Sequence, residues 1–163
     1  MTDQANYRLR RADTGDLETI VGFTLEEARE AEGLDKDADG IRRGVSIGLE
    51  DPSVATYWVA ESAAGEVVAS TSAVREWSDF NGAYYWWVQS VFILPEHRGR
   101  GLVDLLLDKV VEEARSAGAV DLRLYAHRSN PRALEAYRRC GFEETPYVIM
   151  RRRLDRDGPG SGG

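Results

Sequence analysis

The stretch from residue 83 to residue 114 constrains this chain more than any other. An aromatic and β-branched run at 83–93 predicts a long central strand, ended by Leu94-Pro95. Leu102, Val103, Leu106, Val110 and Ala114 then recur at helical spacing, while Asp104, Asp108, Glu112 and Arg115 fall largely elsewhere. Between strand and helix lies a loop holding Arg98-Gly99-Arg100-Gly101. Its glycines permit positive φ and close backbone approach, so successive N–H groups can converge on an anion that the helix N-terminus also favours. That is a pyrophosphate-binding geometry, with an ordinary tight turn as the competing reading. No G-x-x-x-x-G-K-[ST] occurs and no G-x-G-x-x-G follows the first strand, which argues against a kinase or a dinucleotide enzyme.

The remaining pattern alternates strands and helices. A short strand at 7–11 precedes turn and cap chemistry at Asp13 to Asp16 and a helix reaching about residue 31. Residues 26–39 hold seven acidic side chains against Arg29 and Lys36, and a second helix follows at 38–49. Strands at 57–61 and 67–77 flank Ala63-Ala64-Gly65 as a hairpin. After Gly118, alternation predicts a strand through Leu122, Leu124 and Ala126. Asn130 caps a helix that opens on Pro131 and closes at Cys140-Gly141, and 147–154 reads as a final strand. We expect one domain over 1–154, since a single core commonly serves about 100–200 residues. The Gly-rich stretch 155–163 reads as a flexible tail.

Charge and composition narrow the function. The net charge of −7 should repel the phosphates of DNA and RNA, so nucleic acid is not an expected partner. Apolar runs are far shorter than the roughly 20 residues of a membrane span, and the start of the chain is neither basic nor apolar. We therefore expect a cytoplasmic protein without a membrane partner. One cysteine, Cys140, and two histidines, His97 and His127, give neither an internal disulfide nor a metal-ligand spacing, so no metal is expected.

Read together, these features resemble the GNAT superfamily of N-acetyltransferases. Arg98-Gly99-Arg100-Gly101-Leu102-Val103 is similar to its motif A, Q/R-x-x-G-x-G/A, apart from Val103 at the last position. The upstream strand, Pro95-Glu96-His97, the amphipathic helix, and the run from Asn130 through Tyr137 to Phe142 follow in the family's order. The likeness covers about residues 7–154 and is strongest over 88–142. It implies an α/β (α+β) fold: a central, mostly antiparallel mixed sheet, splayed at the coenzyme-binding strand and flanked by helices. It also implies acetyl-CoA as cosubstrate and transfer of an acetyl group to a primary amine by direct attack in a ternary complex.

By the same resemblance, the backbone of Val91, Phe92 and Ile93 would pair with the pantetheine arm as an added strand, and a main-chain N–H of this strand would stabilise the developing oxyanion. Gly99, Arg100, Gly101, Leu102, Val103 and Asp104 would hold the pyrophosphate, with charge from Arg98 and Arg100. Asn130 and Ala133 would border the coenzyme, Asn130 being equally a plain helix cap. Tyr137 matches the family tyrosine that protonates the departing thiolate, its alternative being core filling. Gln89 stands where a catalytic carboxylate is common, so Glu76 and Asp79 are the substitute bases. The acidic stretch 26–39 sits where the family's first helices border the acceptor site, either attracting a cationic amine or forming a solvated helix face. Trp77, Trp86 and Trp87 are candidate pocket walls, although strand alternation sends at least one of Trp86 and Trp87 into the core. Two other functions stay open: a non-catalytic acyl-CoA-binding or regulatory module, and a transferase acting on protein N-termini or lysines. Homodimers are common in the family, and no residue here indicates one.

Overall fold

A computed structural model describes residues 3–33, 35–152 and 154. Strand β1 (Tyr7–Arg11) leads into a reciprocal cap, in which the Asp13 side chain accepts from Gly15 N and Asp13 N donates to the Asp16 carboxylate. This turn starts α1 (Leu17–Glu32), which Gly33 ends at a φ of 64°, the left-handed conformation that closes many helices. Asp37 then caps α2 (Ala38–Glu50) by accepting from Asp39 N and Gly40 N. Strands β2 (Thr56–Ser62), β3 (Val67–Ser78) and β4 (Ala83–Ile93) form an antiparallel meander. Helix α3 (Leu102–Ser116), strand β5 (Asp121–Arg123) and α4 (Pro131–Arg139) complete the described elements.

The five strands run in the order β1-β2-β3-β4-β5, antiparallel throughout except for the parallel β4–β5 pair. Strand alternation divides the core between two faces. Val59 packs with Ile20, Val21 and Val45 beneath α1 and α2, whereas its neighbours Trp58 and Ala60 face the other way. There Trp58 and Trp86 join Leu107 and Val110, and Ala60, Val68 and Ile93 join Leu102 and Leu106, so α3 spans the second face. The expected mixed α/β architecture is thus present.

Two expectations at the C-terminal end need correction. The strand expected through Leu124 and Ala126 ends at Arg123, and the described part of 147–154 forms no strand. Tyr147, Val148, Ile149 and Met150 are largely exposed. Their apolar sequence carries strand propensity, but a strand exists only when a neighbouring edge accepts its ladder, and β5 offers three residues. The tail at 155–163 lies outside the described residues.

Leu106 is fully buried where α3 meets Ala60, Val68 and Ile93. Leu106→Ala should cost about 2–5 kcal/mol by leaving a cavity between helix and sheet. A urea titration would show this as a lower midpoint, and an unchanged midpoint would contradict this account of the core.

Candidate active site

The site begins with an irregularity in β4. Its register against β3 runs from Ala69↔Ile93 to Ser72↔Ser90 and then slips, so that Ala73 faces Val88 and Gln89 is left over as a bulge. Thr71 Oγ1 donates to Ser90 O at 2.8 Å, and the Ser72 and Ser90 hydroxyls lie 2.7 Å apart, which holds the slip in place. On its other side β4 pairs with β5 only through Tyr85, Trp86 and Trp87. From residue 88 to residue 93 that edge has no ladder partner among the described residues. Val91, Phe92 and Ile93 therefore sit where a ligand backbone can add as a strand.

Below this edge lies the glycine loop. Gly99 and Gly101 adopt φ values of 74° and 79°, conformations that a residue with a Cβ resists. Gly101 is the N-cap of α3 and supplies no side-chain acceptor, so the first-turn N–H groups of Leu102, Val103 and Asp104 point into an anion-favouring helix end. Val103 packs against both core clusters of the α3 face. Its larger side chain is therefore taken up by the core. Asp104 accepts from Cys140 Sγ at 2.9 Å, which ties α3 to α4, and burial together with this carboxylate pushes the thiol up to about 12. Cys140 is consequently a protonated structural group and not a nucleophile.

The two loop arginines are already engaged. Arg98 Nε donates to Ile93 O at 2.9 Å, while its Nη2 meets both Glu30 oxygens, at 2.8 and 2.9 Å. Its guanidinium also lies 5.7 Å from the Phe92 ring centroid. Arg98 thereby clasps α1 to the end of β4. Arg100 donates to Glu96 O at 3.2 Å. Asn130 caps α4 by accepting from Ala133 N at 3.1 Å, and Pro131 occupies the first turn. Tyr137, on the same helix, is half-buried with its ring edge-on to Phe142, and burial raises its phenol pKa, with a further push from Glu27.

Glu27 is the residue that the sequence reading did not single out. It projects from α1 so that Val91 N–H donates to its Oε1 at 3.4 Å, across 64 residues of chain. Burial pushes its carboxyl up to about 7; the Val91 N–H opposes this and the Glu30 charge adds to it. A signal did exist, since Ile20, Phe23, Thr24 and Glu27 follow one helical face, whose first two members are core. Glu27 is thus the acidic member of 26–39 aimed at the sheet. The charges of Glu26, Glu30, Asp35 and Asp39 are paired with arginines.

Glu76 and Asp79 are not brought to Val91. Glu76 pairs in register with Tyr85, toward the far end of the hairpin, and accepts from Trp87 Nε1 at 2.5 Å; Asp79 lies exposed in the turn beyond it. The tryptophans lie elsewhere too: Trp86 is 2% exposed in the core, and Trp77 stacks edge-on to Tyr84 on the outer hairpin. Instead, a cleft of two joined cavities, about 270 and 300 Å³, opens between α1, α2 and the bulge of β4. Glu27, Ser72 and Ser90 line the first, and Thr24, Val45, Tyr57 and Gln89 line both.

The raised carboxyl has a consequence for stability. A group moved from 4.5 to about 7 keeps its proton in the folded state after the unfolded chain has lost it. Between those pH values the folded state binds more protons, so stability falls as pH rises and levels off above about 7. Glu27→Gln should remove that fall and be the more stable protein at pH 8, by about 1–3 kcal/mol. Urea midpoints at pH 5 and pH 8 check this, and equal pH dependence in both proteins would remove the burial account of Glu27.

Comparison with known proteins bears on the family and the fold. The Acetyltransferase (GNAT) family matches residues 16–142. The chain is 29% identical over 97 residues to the L-amino acid N-acyltransferase MnaT of Escherichia coli K12, covering 60% of this chain and 56% of that protein. It is 34% identical over 85 residues to an L-methionine sulfoximine/L-methionine sulfone acetyltransferase of Pseudomonas aeruginosa, covering 52% and 49%. The chain thus spans about half the length of these relatives. A crystal structure of a possible acetyltransferase from Clostridium difficile 630 superposes with a TM-score of 0.85 at 28% identity, over 92% of this chain and 99% of that one.

Proposed function

The chain belongs to the acetyltransferase (GNAT) family, and from that premise we propose that it moves an acetyl group from acetyl-CoA to a primary amine of a small molecule by direct attack in a ternary complex. The observation that carries this reading is the Glu27 carboxyl, held near neutrality beside Val91 N–H at the open edge of β4. The residues present fit the coenzyme: positive-φ Gly99 and Gly101, an uncapped α3 N-terminus, and an unpaired strand edge leading to them. Acetyl-CoA, when bound, supplies the activated acetyl group as a thioester.

The chain's own groups do the rest. The main chain of Gly99, Gly101, Leu102, Val103 and Asp104 holds the pyrophosphate, because Arg98 is committed to Glu30 and Ile93. Val91 N–H, which donates to Glu27 Oε1 in the free protein, turns to the charge developing on the carbonyl oxygen as Glu27 takes up its proton. Glu27 takes a proton from the amine as its nitrogen forms a bond to the carbonyl carbon. As the C–S bond breaks, Tyr137 gives its phenolic proton to the sulfur, the raised pKa leaving it protonated in the resting site and making the transfer depend on the negative charge that develops on sulfur. The names of the relatives, an L-amino acid acyltransferase and an L-methionine sulfoximine acetyltransferase, support a small-molecule acceptor over a protein one.

Acetyl-CoA and coenzyme A should each raise the melting temperature, because both bind the folded state. Thiol release with a panel of amines then tests transfer. For an amine that turns over, kcat/KM should rise with pH through about 7, as Glu27 loses its proton. Glu27→Gln should abolish this rise and lower kcat/KM by about 10²–10⁴-fold. Glu76→Gln combined with Asp79→Asn should keep the wild-type pH profile; losing the rise in this double variant and keeping it in Glu27→Gln would move the base to the hairpin. Tyr137→Phe should lower kcat with little change in coenzyme affinity, and unchanged turnover would remove its assignment.

A further inference from the structure

The two cavities of the cleft differ in chemistry. The first, beside Val91, carries the charges: Glu27, Glu32 and Lys36 line it, the last two paired at 3.0 Å. The second runs away from Glu27 along α2 and is lined by Ile41, Gly44, Val45, Val54, Ala55 and Val74, with Thr24, Tyr57 and Gln89 at the junction. No side chain lining this arm is charged at neutral pH, so a second ammonium group entering it would gain no counter-charge and would lose part of its water. An apolar group of a few carbons would instead bury its surface against aliphatic walls, at about 25 cal/mol per Å².

Glycines on α2 shape this arm. A Cβ at Gly48 would lie 2.8 Å from Tyr57 Cε2, so that glycine lets the Tyr57 ring, which lines both cavities, approach the helix closely. Gly44, one turn earlier on the same face, lines the arm, and a Cβ there would meet nothing within 4 Å. Gly44 is exposed and Val54 is half-exposed, so the space over Gly44 is an open-sided groove in which a ligand group would be covered on the protein side only.

Resting on the transferase reading above, we propose that the acceptor is a primary amine bearing an uncharged apolar group: the amine sits at Glu27 and the apolar group fills the arm over Gly44. The chemistry is shared by apolar amino acids, their amides and simple branched amines. Polyamines and aminoglycosides lie outside it. The nitrogen–carbonyl bond forms at the first cavity with the proton passing to Glu27, and the arm only selects which amine arrives.

The test is thiol release from acetyl-CoA with L-leucine, L-leucinamide, 3-methylbutylamine, glycine, spermidine and kanamycin, using the full chain and its Gly44→Leu variant. At least one of the three branched acceptors should exceed spermidine and kanamycin by tenfold or more in kcat/KM. Comparing the three shows whether the carboxylate, the amide or neither is needed. Gly44→Leu should cut the preference for the best branched acceptor over glycine by at least tenfold, and Gly44→Ala, which suits a helix better than glycine, should cut it less. Spermidine or kanamycin as the best acceptor would overturn the inference while leaving the transferase intact. An unchanged preference in a folded Gly44→Leu would do the same. Absence of thiol release with every amine would overturn the transferase reading and this inference with it.

Discussion

Everything in the site follows from β4 being paired fully on one side and only in part on the other. A strand in mid-sheet normally spends all its N–H and C=O groups on neighbours. Here β3 holds β4 along its length, with one slip at Gln89, whereas β5 takes only Tyr85, Trp86 and Trp87. The unpaired edge at Val91 is expensive unless something accepts from it, and the Glu27 carboxylate does so, at 3.4 Å. The same edge runs into a glycine loop and a helix N-terminus without a side-chain cap, and in the proposed function a long thioester-bearing ligand would be read there by main chain alone.

Helix α1 unites the two halves of the chemistry. Glu27 faces the strand edge, and Glu30, one turn later, holds Arg98 of the glycine loop. The helix therefore cannot shift against the loop without disturbing both contacts. Its acidic sequence, read along the chain, resembles an undifferentiated charged face. In the fold its members divide: Glu26 and Glu30 are paired with arginines, as are Asp35 and Asp39 beyond the helix, and Glu27 is turned inward, where loss of water raises its carboxyl toward neutrality.

Much of this was legible in the residues. The 83–93 strand matches the observed bounds of β4, the helix from Leu102 begins where its apolar period does, and Gly99 and Gly101 take the positive φ that their place between strand and helix implies. The bulge at Gln89 was not legible, because nothing in a run of aromatic and β-branched residues marks where a ladder will slip. Nor was the fate of 147–154, whose apolar residues satisfy strand propensity but find no edge to join.

The sequence by itself determined the elements, the glycine loop and the family likeness, because these rest on backbone sterics and on periods of 2 and 3.6 residues that act over a few positions. Only the tertiary structure decided which carboxylate meets Val91. Glu76 is near β4 along the hairpin yet lies several register steps away, at Tyr85, while Glu27, 64 residues distant in sequence, is delivered by the packing of α1 on the sheet. Such a meeting depends on helix placement against a twisted sheet, which long-range burial of Ile20, Val21 and Phe23 fixes; the helical period puts Glu27 on the inward face but does not say which strand residue it meets.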